Sequence, residues 1–220
     1  MMENITIAIP KGRNLKPTVK LFQTIGIDAS IFLTDTRKLL ASQENMNVNF
    51  MVVRDTDIPT YVEYGAADIG ISGKDVLLEK ETNVYEPIDL KFGYCRMVLA
   101  EPEDLRLHDD PSTWTHVRVA TKYPNITEKY FKNKGIEVDI IKLYGSIEIA
   151  PLVGLSERIV DLVSTGDTMK ANRLVEVDEI AKISARLVVN RASLKTKHER
   201  INGIIEGVRA NLDAVLKELE

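Results

Sequence analysis

Short apolar runs recur along the chain, and most are followed by a stretch with helical spacing of its apolar residues. The runs Ile5–Ile9, Val48–Val53, Ala67–Ser72, Tyr94–Ala100, Val117–Thr121, Val138–Leu143, Ile159–Val163 and Ala185–Asn190 predict strands. Leu15–Ile25, Ile58–Tyr64, Asn125–Lys134, Ser146–Val153 and a segment after Gly166 predict helices, and another starts at Gly73-Lys74-Asp75. Pro17 is tolerable in a first helical turn, where its missing N–H would lack a partner anyway. Residues 101–116 are polar and carry Pro102 and Pro111, which predicts a loop. At the end of the chain, Ile201, Ile204, Ile205, Val208, Leu212, Val215 and Leu216 form one stripe, which predicts a long amphipathic helix from Leu194 to Leu219. The stripe suits either a partner interface or packing on the chain's own core. Alternating strands and helices predict an α/β fold with mostly parallel strands. Such folds place ligands at the C-terminal ends of their strands.

Composition narrows the class. With 44% hydrophobic and 28% charged residues the chain is ordinary for a soluble globular protein. No apolar run reaches the length of a membrane span. The opening residues lack the basic and apolar regions of a secretion signal, so a cytoplasmic protein is expected. A single cysteine, Cys95, excludes an internal disulfide and a multi-cysteine metal site, and its apolar neighbours predict a buried structural thiol. The 29 basic and 33 acidic residues give a net charge of −4, which argues against broad nucleic-acid binding. A polyphosphate substrate would then need a local basic cluster to focus it. His108, His116 and His198 are far apart, and none has metal-ligand spacing.

The stretch Asp161–Met169 is the most informative. Strand Ile159–Val163 breaks at Ser164-Thr165-Gly166, and a helix-like segment starts near Asp167. A strand ending in small hydroxyl residues and glycine, then entering a helix, offers backbone N–H groups, hydroxyls and a positive dipole end to a phosphate. Ser164, Thr165 and Thr168 would supply the hydroxyls. Asp161, just before the turn, can accept bonds from two sugar hydroxyls. Phosphate and vicinal diol together suggest a ribose-5-phosphate group. The bland alternative is a tight strand-to-helix turn with a capping threonine.

Other candidates lie beside glycine turns. Lys11-Gly12-Arg13 follows the first strand and suits a polyphosphate, Arg as a fork and Lys as a point charge. A solvated basic loop is the alternative. Arg54 ends strand Val48–Val53, where it can contact nucleotide or pair with a neighbouring Asp. Asp75, after Gly73, can accept from a substrate amine or cap its helix.

Glu148, Gly154, Ser156, Ile159, Asp161, Leu162, Thr165, Gly166, Thr168 and Met169 together resemble the signature of the ATP phosphoribosyltransferase family. The resemblance extends to Pro10–Arg13, Asp57–Gly70 and Lys142–Glu148, and covers the chain to about Asn190. It implies transfer of the phosphoribosyl group of phosphoribosyl pyrophosphate to N1 of ATP, the first step of histidine synthesis. The enzyme would be a pentosyltransferase that needs no nucleophilic side chain, with Mg²⁺ carried by the substrate phosphates and no dedicated metal ligand. It implies two α/β domains of periplasmic-binding-protein-like, type II bilobal architecture with the active site in the cleft, here residues 1–92 plus 181–220 and residues 93–180. Site roles follow from it. Lys11, Arg13 and Arg37 would be catalytic, meeting the leaving pyrophosphate. Glu148, Asp161, Ser164, Thr165, Gly166, Asp167 and Thr168 would bind phosphoribosyl pyrophosphate. Arg54, Gly73 and Asp75 would bind nucleotide. Arg37 could instead pair with Asp35, and Glu148 could complete an internal salt bridge. Only about 25 residues follow Ser193, which resembles the short form of the family. That form implies a homodimer assembling with a regulatory subunit similar to histidyl-tRNA synthetase. A solute-binding module of the same fold, or an inactive regulatory copy, are the competing readings; neither explains Lys-Gly-Arg together with the Asp161–Met169 signature.

Overall fold

The structure, a computed structural model, describes residues 3–34 and 37–219. In chain order the strands are β1 (Ile5–Pro10), β2 (Leu40–Gln43), β3 (Val48–Val53), β4 (Ile69–Gly73), β5 (Tyr85–Asp89), β6 (Cys95–Pro102), β7 (His116–Thr121), β8 (Glu137–Lys142), β9 (Arg158–Val163), β10 (Leu174–Ile183) and β11 (Ala185–Val189). The helices are α1 (Leu15–Gln23), α2 (Ile31–Thr34), α3 (Ile58–Glu63), α4 (Lys74–Lys80), α5 (Glu103–Arg106), α6 (Pro124–Lys134), α7 (Asp167–Ala171), α8 (Arg191–Thr196) and α9 (His198–Leu219). They form two compact units, one from the chain up to Gly93 and from Ser184 onward, the other Tyr94–Ile183. Residues 181–183 fall in the second unit, past the expected boundary at 180. They continue the β10 ladder, with Ala181, Lys182 and Ile183 opposite Met97, Arg96 and Cys95.

The first unit's sheet has the order β2-β3-β1-β4-β11-β5. Strands β3, β1 and β4 pair in parallel, while β2 and β11 run against them and β5 runs against β11. The second sheet has the order β10-β6-β9-β7-β8. Here β9, β7 and β8 are parallel and β6 runs against both its neighbours. Strands β1, β3, β4 and β5 therefore share one direction in the first sheet, and β7, β8, β9 and β10 in the second. Each unit sets its second, first and third parallel strands side by side, followed by an antiparallel strand next to a chain crossing and then one more strand. This shared order is the type II topology, repeated without any visible sequence repeat.

Central strands are buried on both faces, as parallel strands covered by helices must be. The side chains of β1 are almost wholly enclosed, whereas β3 alternates between buried and half-buried. Ile5, Ile7, Ile9, Phe22, Phe50 and Leu187 anchor the first core, and the stripe of α9 closes over them. The terminal stripe thus packs on its own unit. The single long helix expected there is two helices, broken at Lys197, whose φ of −122° and ψ of 36° leave the helical region. The break delivers Lys197 Nζ to the buried Asp68 carboxylate at 2.8 and 2.9 Å and to the Asn4 carbonyl at 2.8 Å. Asp68 also accepts from the Thr6 N–H at 2.8 Å, so its role is structural.

Three other segments differ from the periodicity. Ser146–Val153 is a short 3₁₀ turn at Ile147–Ile149 followed by further turns, because Ser146 and Gly154 adopt left-handed φ and Pro151 interrupts the ladder. The segment after Gly166 holds only five helical residues before β10 begins. Residues 101–116 contain the end of β6, α5 and a 3₁₀ turn that Asp110 caps through the Ser112 N–H. A buried ion cluster pins this segment. Arg158, which opens β9, reaches Glu101 at 2.9 Å, Asp109 at 2.6 Å and Glu157 at 3.2 Å. Its guanidinium lies 3.8 Å from the Trp114 ring centroid, and the Trp114 indole N–H donates to Asp109 at 2.8 Å. Cys95 is buried. No helix among the described residues is long and apolar enough to cross a membrane.

Candidate active site

In the first unit, the candidates gather at the C-terminal edge of the parallel strands. The register sets Pro10 against Val53 and Ala8 against Gly70, so Lys11 follows β1 beside Arg54 after β3 and Gly73 at the end of β4. The Lys11 N–H donates to the Val53 carbonyl at 3.0 Å, which fixes where the turn begins. Gly12, at φ +84°, reverses the chain into a 3₁₀ turn that carries Arg13. Arg37 reaches the same edge by another route: β2 pairs with β3, and the Val52 N–H donates to the Leu39 carbonyl at 2.8 Å. Lys38 shares a cavity of about 200 Å³ with Lys11, Gly12, Leu15, Phe32 and Val52. Lys11, Arg13, Arg37, Lys38 and Arg54 are all exposed. They supply local positive charge on a chain whose net charge is negative, which is what focusing an anionic ligand requires. Asp35, the alternative partner of Arg37, lies outside the described residues.

Gly73 allows a close approach. A Cβ there would collide with the Asp75 carboxylate, which is packed against the glycine backbone. Asp75 is 8% exposed and sits in the first turn of α4.

In the second unit, Asp161 lies on β9 and is half-buried. Its carboxylate accepts from the Leu162 N–H at 2.8 Å. Burial pushes its pKa up, the Leu162 hydrogen bond pulls it down, and the Glu148 charge raises it again against a smaller opposing effect of Lys122; the net shift is upward. The turn after Val163 exposes Ser164, Thr165 and Thr168. Thr165 Oγ1 donates to Asp167 at 2.7 Å, and the Lys170 N–H returns to the Gly166 carbonyl at 3.0 Å. Gly166 sits at φ +86°, a conformation that costs any side chain about 1–2 kcal/mol. Because α7 has five residues, its dipole is weak, and anion binding there would rest on the turn's own N–H groups and hydroxyls. Glu148 is half-buried in the 3₁₀ turn and close enough to raise the Asp161 pKa.

The structure therefore brings Lys11, Arg13, Arg37, Arg54, Gly73 and Asp75 to one edge, and Glu148, Asp161 and residues 164–168 to another. Sequence reading passed over Lys38 and Lys122. The signal was available for Lys122, which ends strand Val117–Thr121 just as Arg54 ends its own strand. A groove of about 700 Å³ lies along α6 and β8, lined by His116, Glu128, Lys132 and Asp139 among others. It sits toward the opposite end of the strands and is predominantly acidic. Among the described residues no three His, Cys, Asp or Glu side chains form a group that could hold a metal.

Comparison with known proteins converges on one family. The profile of HisG, ATP phosphoribosyltransferase, matches residues 54–210. ATP phosphoribosyltransferase 2 of Geobacter sulfurreducens is 64% identical over 212 residues, 96% of this chain and 100% of that protein. The ATP phosphoribosyltransferase of Acidithiobacillus ferrooxidans is 52% identical, covering 96% of this chain and 99% of that one. Among solved structures, a chain of the ATP phosphoribosyl transferase (HisG:HisZ) complex from Thermotoga maritima is 37% identical with a TM-score of 0.82, covering 96% of this chain and 99% of its own. The crystal structure of Tv2483 bound to L-arginine matches at a TM-score of 0.60 with 12% identity, over 96% of this chain and 85% of its own, and shares the fold alone.

Proposed function

The chain belongs to the ATP phosphoribosyltransferase family, and from that premise we propose how its own residues carry the reaction. The enzyme transfers the phosphoribosyl group of phosphoribosyl pyrophosphate to N1 of the adenine of ATP and releases pyrophosphate, the first step of histidine biosynthesis. The adenine N1 lone pair forms the new bond to ribose C1. The C1–O bond breaks and its electrons leave with pyrophosphate; the substituted adenine then sheds a proton from its amino group. No side chain needs to attack. The protein's task is to hold the reactants in line and to stabilise charge on the leaving group.

The observation that carries the reading is the Asp161–Thr168 stretch, where a strand carboxylate is followed at once by a Ser-Thr-Gly turn with Gly166 in the left-handed region. Asp161 accepts the ribose hydroxyls, with Glu148 beside it. Ser164, Thr165, Gly166, Asp167 and Thr168 form the cradle for the 5-phosphate. Lys11, Arg13 and Arg37 neutralise the departing pyrophosphate, Arg13 foremost. Arg54, Gly73 and Asp75 receive ATP, Asp75 accepting from the adenine amine. Mg²⁺ arrives with the substrate phosphates, where it supplies positive charge to the leaving group.

The chain works in the cytoplasm, where both substrates are made. It forms a homodimer that joins a regulatory subunit resembling histidyl-tRNA synthetase. Support comes from the extent of the match to a chain taken from a HisG:HisZ complex.

The deciding experiment follows the ultraviolet change of adenine N1 substitution with ATP, phosphoribosyl pyrophosphate and Mg²⁺, omitting each in turn. Turnover that needs both substrates is the expected result. If neither this chain nor its mixture with a HisZ subunit turns over, the catalytic assignment fails. Replacing Gly166 by valine tests the phosphate cradle. Valine cannot hold φ +86° cheaply, so affinity for phosphoribosyl pyrophosphate should fall about tenfold. Unchanged affinity by calorimetry would move the phosphate elsewhere.

A further inference from the structure

The strand ends of the second unit carry a cation, Lys122, that the reaction scheme does not use. Thr121 is paired with Val160 on β9 and with Lys142 on β8. Residues paired across parallel strands share a face, and successive residues alternate faces. One position beyond that pair stand Lys122, where the chain bends out of β7, and Asp161 on β9, close enough for the lysine charge to act on the carboxylate, while Lys142 shares the face of Thr121. Thr121 fixes this geometry: its hydroxyl donates to the Val160 carbonyl at 2.7 Å and accepts from the Tyr123 N–H at 2.9 Å. The face holding Asp161 is the one on which Val98, Ala100, Ala120, Ile147 and Ile159 pack. It is therefore also the face covered by the turn that carries Glu148. Asp161 and Lys122 are both half-buried. Near the end of β9, Glu148 and Lys122 are thus close enough for their opposite charges to act on Asp161.

We propose that Lys122 is a positioning residue of the phosphoribosyl site, holding Asp161 as the anion that accepts the ribose hydroxyls. The proposal rests on the assignment of Asp161 to ribose binding. Other charged groups on the surrounding elements are already engaged or face elsewhere. Arg96 on β6 pairs with Glu176 at 2.6 Å and Glu179 at 3.5 Å on β10. Asp167 accepts from Thr165. Lys142 shares the face of Thr121 and lies over the Tyr144 ring at 5.7 Å, while Lys122 Nζ lies 5.7 Å from the Tyr123 ring and acts on Asp161 as a nearby charge. Glu148 opposes ionisation of Asp161, as does burial, and both favour its protonated form. Lys122 counters them. As pH falls through the Asp161 pKa the accepting anion is lost, and without Lys122 that loss begins at higher pH.

The test is calorimetric titration of the full chain with phosphoribosyl pyrophosphate at fixed Mg²⁺, between about pH 5 and about pH 8. The ligand's own phosphate titration cancels in the ratio of variant to wild-type affinity. Lys122→Met should bind nearly as well as wild type at the alkaline end and several-fold more weakly at the acid end, because the Asp161 pKa rises further without the lysine charge. Lys122→Arg should restore the wild-type profile, and Lys122→Gln serves if the methionine variant does not fold. A ratio that stays constant with pH, at one or at any lower value, overturns the proposal. Asp161→Asn separates the two levels. If it binds normally, the ribose assignment itself has failed. If it binds weakly while Lys122→Met shows no pH-dependent loss, only the role of Lys122 has.

Discussion

Replacing Arg13 by alanine is expected to lower turnover by about 10²–10³-fold. KM for either substrate should move much less. Arg13 stands in the turn after β1, exposed, on a backbone fixed by the Lys11 N–H bond to Val53. Removing an exposed side chain from such a turn should change stability by no more than about 0.5 kcal/mol. The charge it would meet is different in kind. Pyrophosphate gains negative charge only as the C1–O bond breaks, so a cation aimed at it binds the transition state more strongly than the ground state. Such a contact lowers kcat and kcat/KM together when lost. Measuring kcat by pyrophosphate release, with thermal unfolding as the control, decides the matter. An unchanged kcat removes Arg13 from the mechanism, and a raised KM at constant kcat would make it a binding residue instead.

Much of the first unit was legible because its core strands obey simple rules. The run at Val48–Val53 is a strand with the bounds the sequence predicts, and β1 extends Ile5–Ile9 by one residue. Both are apolar runs closed by a charged turn. The alternation of strand and helix also gave the α/β class. What escaped was non-local. The sequence Leu174–Ile183 is rich in Glu, Asp and Lys, so it has no apolar run, yet it is the ten-residue β10. It is an edge strand held by its ladder against β6, and its acids pair with Arg96 and Lys134 instead of building an apolar face. The Arg96–Glu176 pair, which crosses that ladder, is visible only once the register is known. The terminal stripe was read correctly as amphipathic. Its break at Lys197 is set by Asp68, a partner 129 positions away.

The candidate residues were legible to a similar depth. A glycine or hydroxyl turn at the end of an apolar strand marks a possible anion site from sequence alone, and Lys11, Arg13 and Ser164–Thr168 were found that way. Arg37 needed the family resemblance, because nothing local ties it to the edge where β2 brings it. The dipole reading of the segment after Gly166 needed a longer helix than five residues provide. Lys122 was passed over because Thr121-Lys122-Tyr123 contains no glycine, so its place at a strand end was the one mark it left in the pattern. Its position follows from the pairing of β7 with β9.

The largest stability effect is expected at Arg158, which opens β9 at the opposite end from the candidate residues of its own unit. Arg158→Met should destabilise the second unit by about 3–5 kcal/mol near pH 8. The side chain is only 4% exposed, and Glu101 beside it is fully enclosed. Burial drives the Glu101 pKa up, and the Arg158 charge is the main influence opposing that rise. For Asp109, burial pushes upward, but hydrogen bonds from Arg158 and Trp114 outweigh it and hold the carboxyl below its usual range. Methionine fills much of the volume but takes the guanidinium from Asp109 and leaves Glu101 only the more distant Arg106 at 3.6 Å. Each acid can then escape the cost by binding a proton. The native variant would hold more protons than its unfolded chain in the interval above the ordinary carboxylate pKa, so its stability falls as pH rises through that interval. The deficit relative to wild type should therefore shrink as pH falls through the raised Glu101 range. Trp114, the one tryptophan, stacks on Arg158 and reports the transition directly by fluorescence. Pairing Arg158→Met with Glu101→Leu should recover part of the loss, since it removes the more deeply buried of the two acids while Asp109 stays without its guanidinium. A deficit that is the same at every pH, or no recovery in the double variant, would mean that Arg158 stabilises by packing on Trp114 rather than by charge.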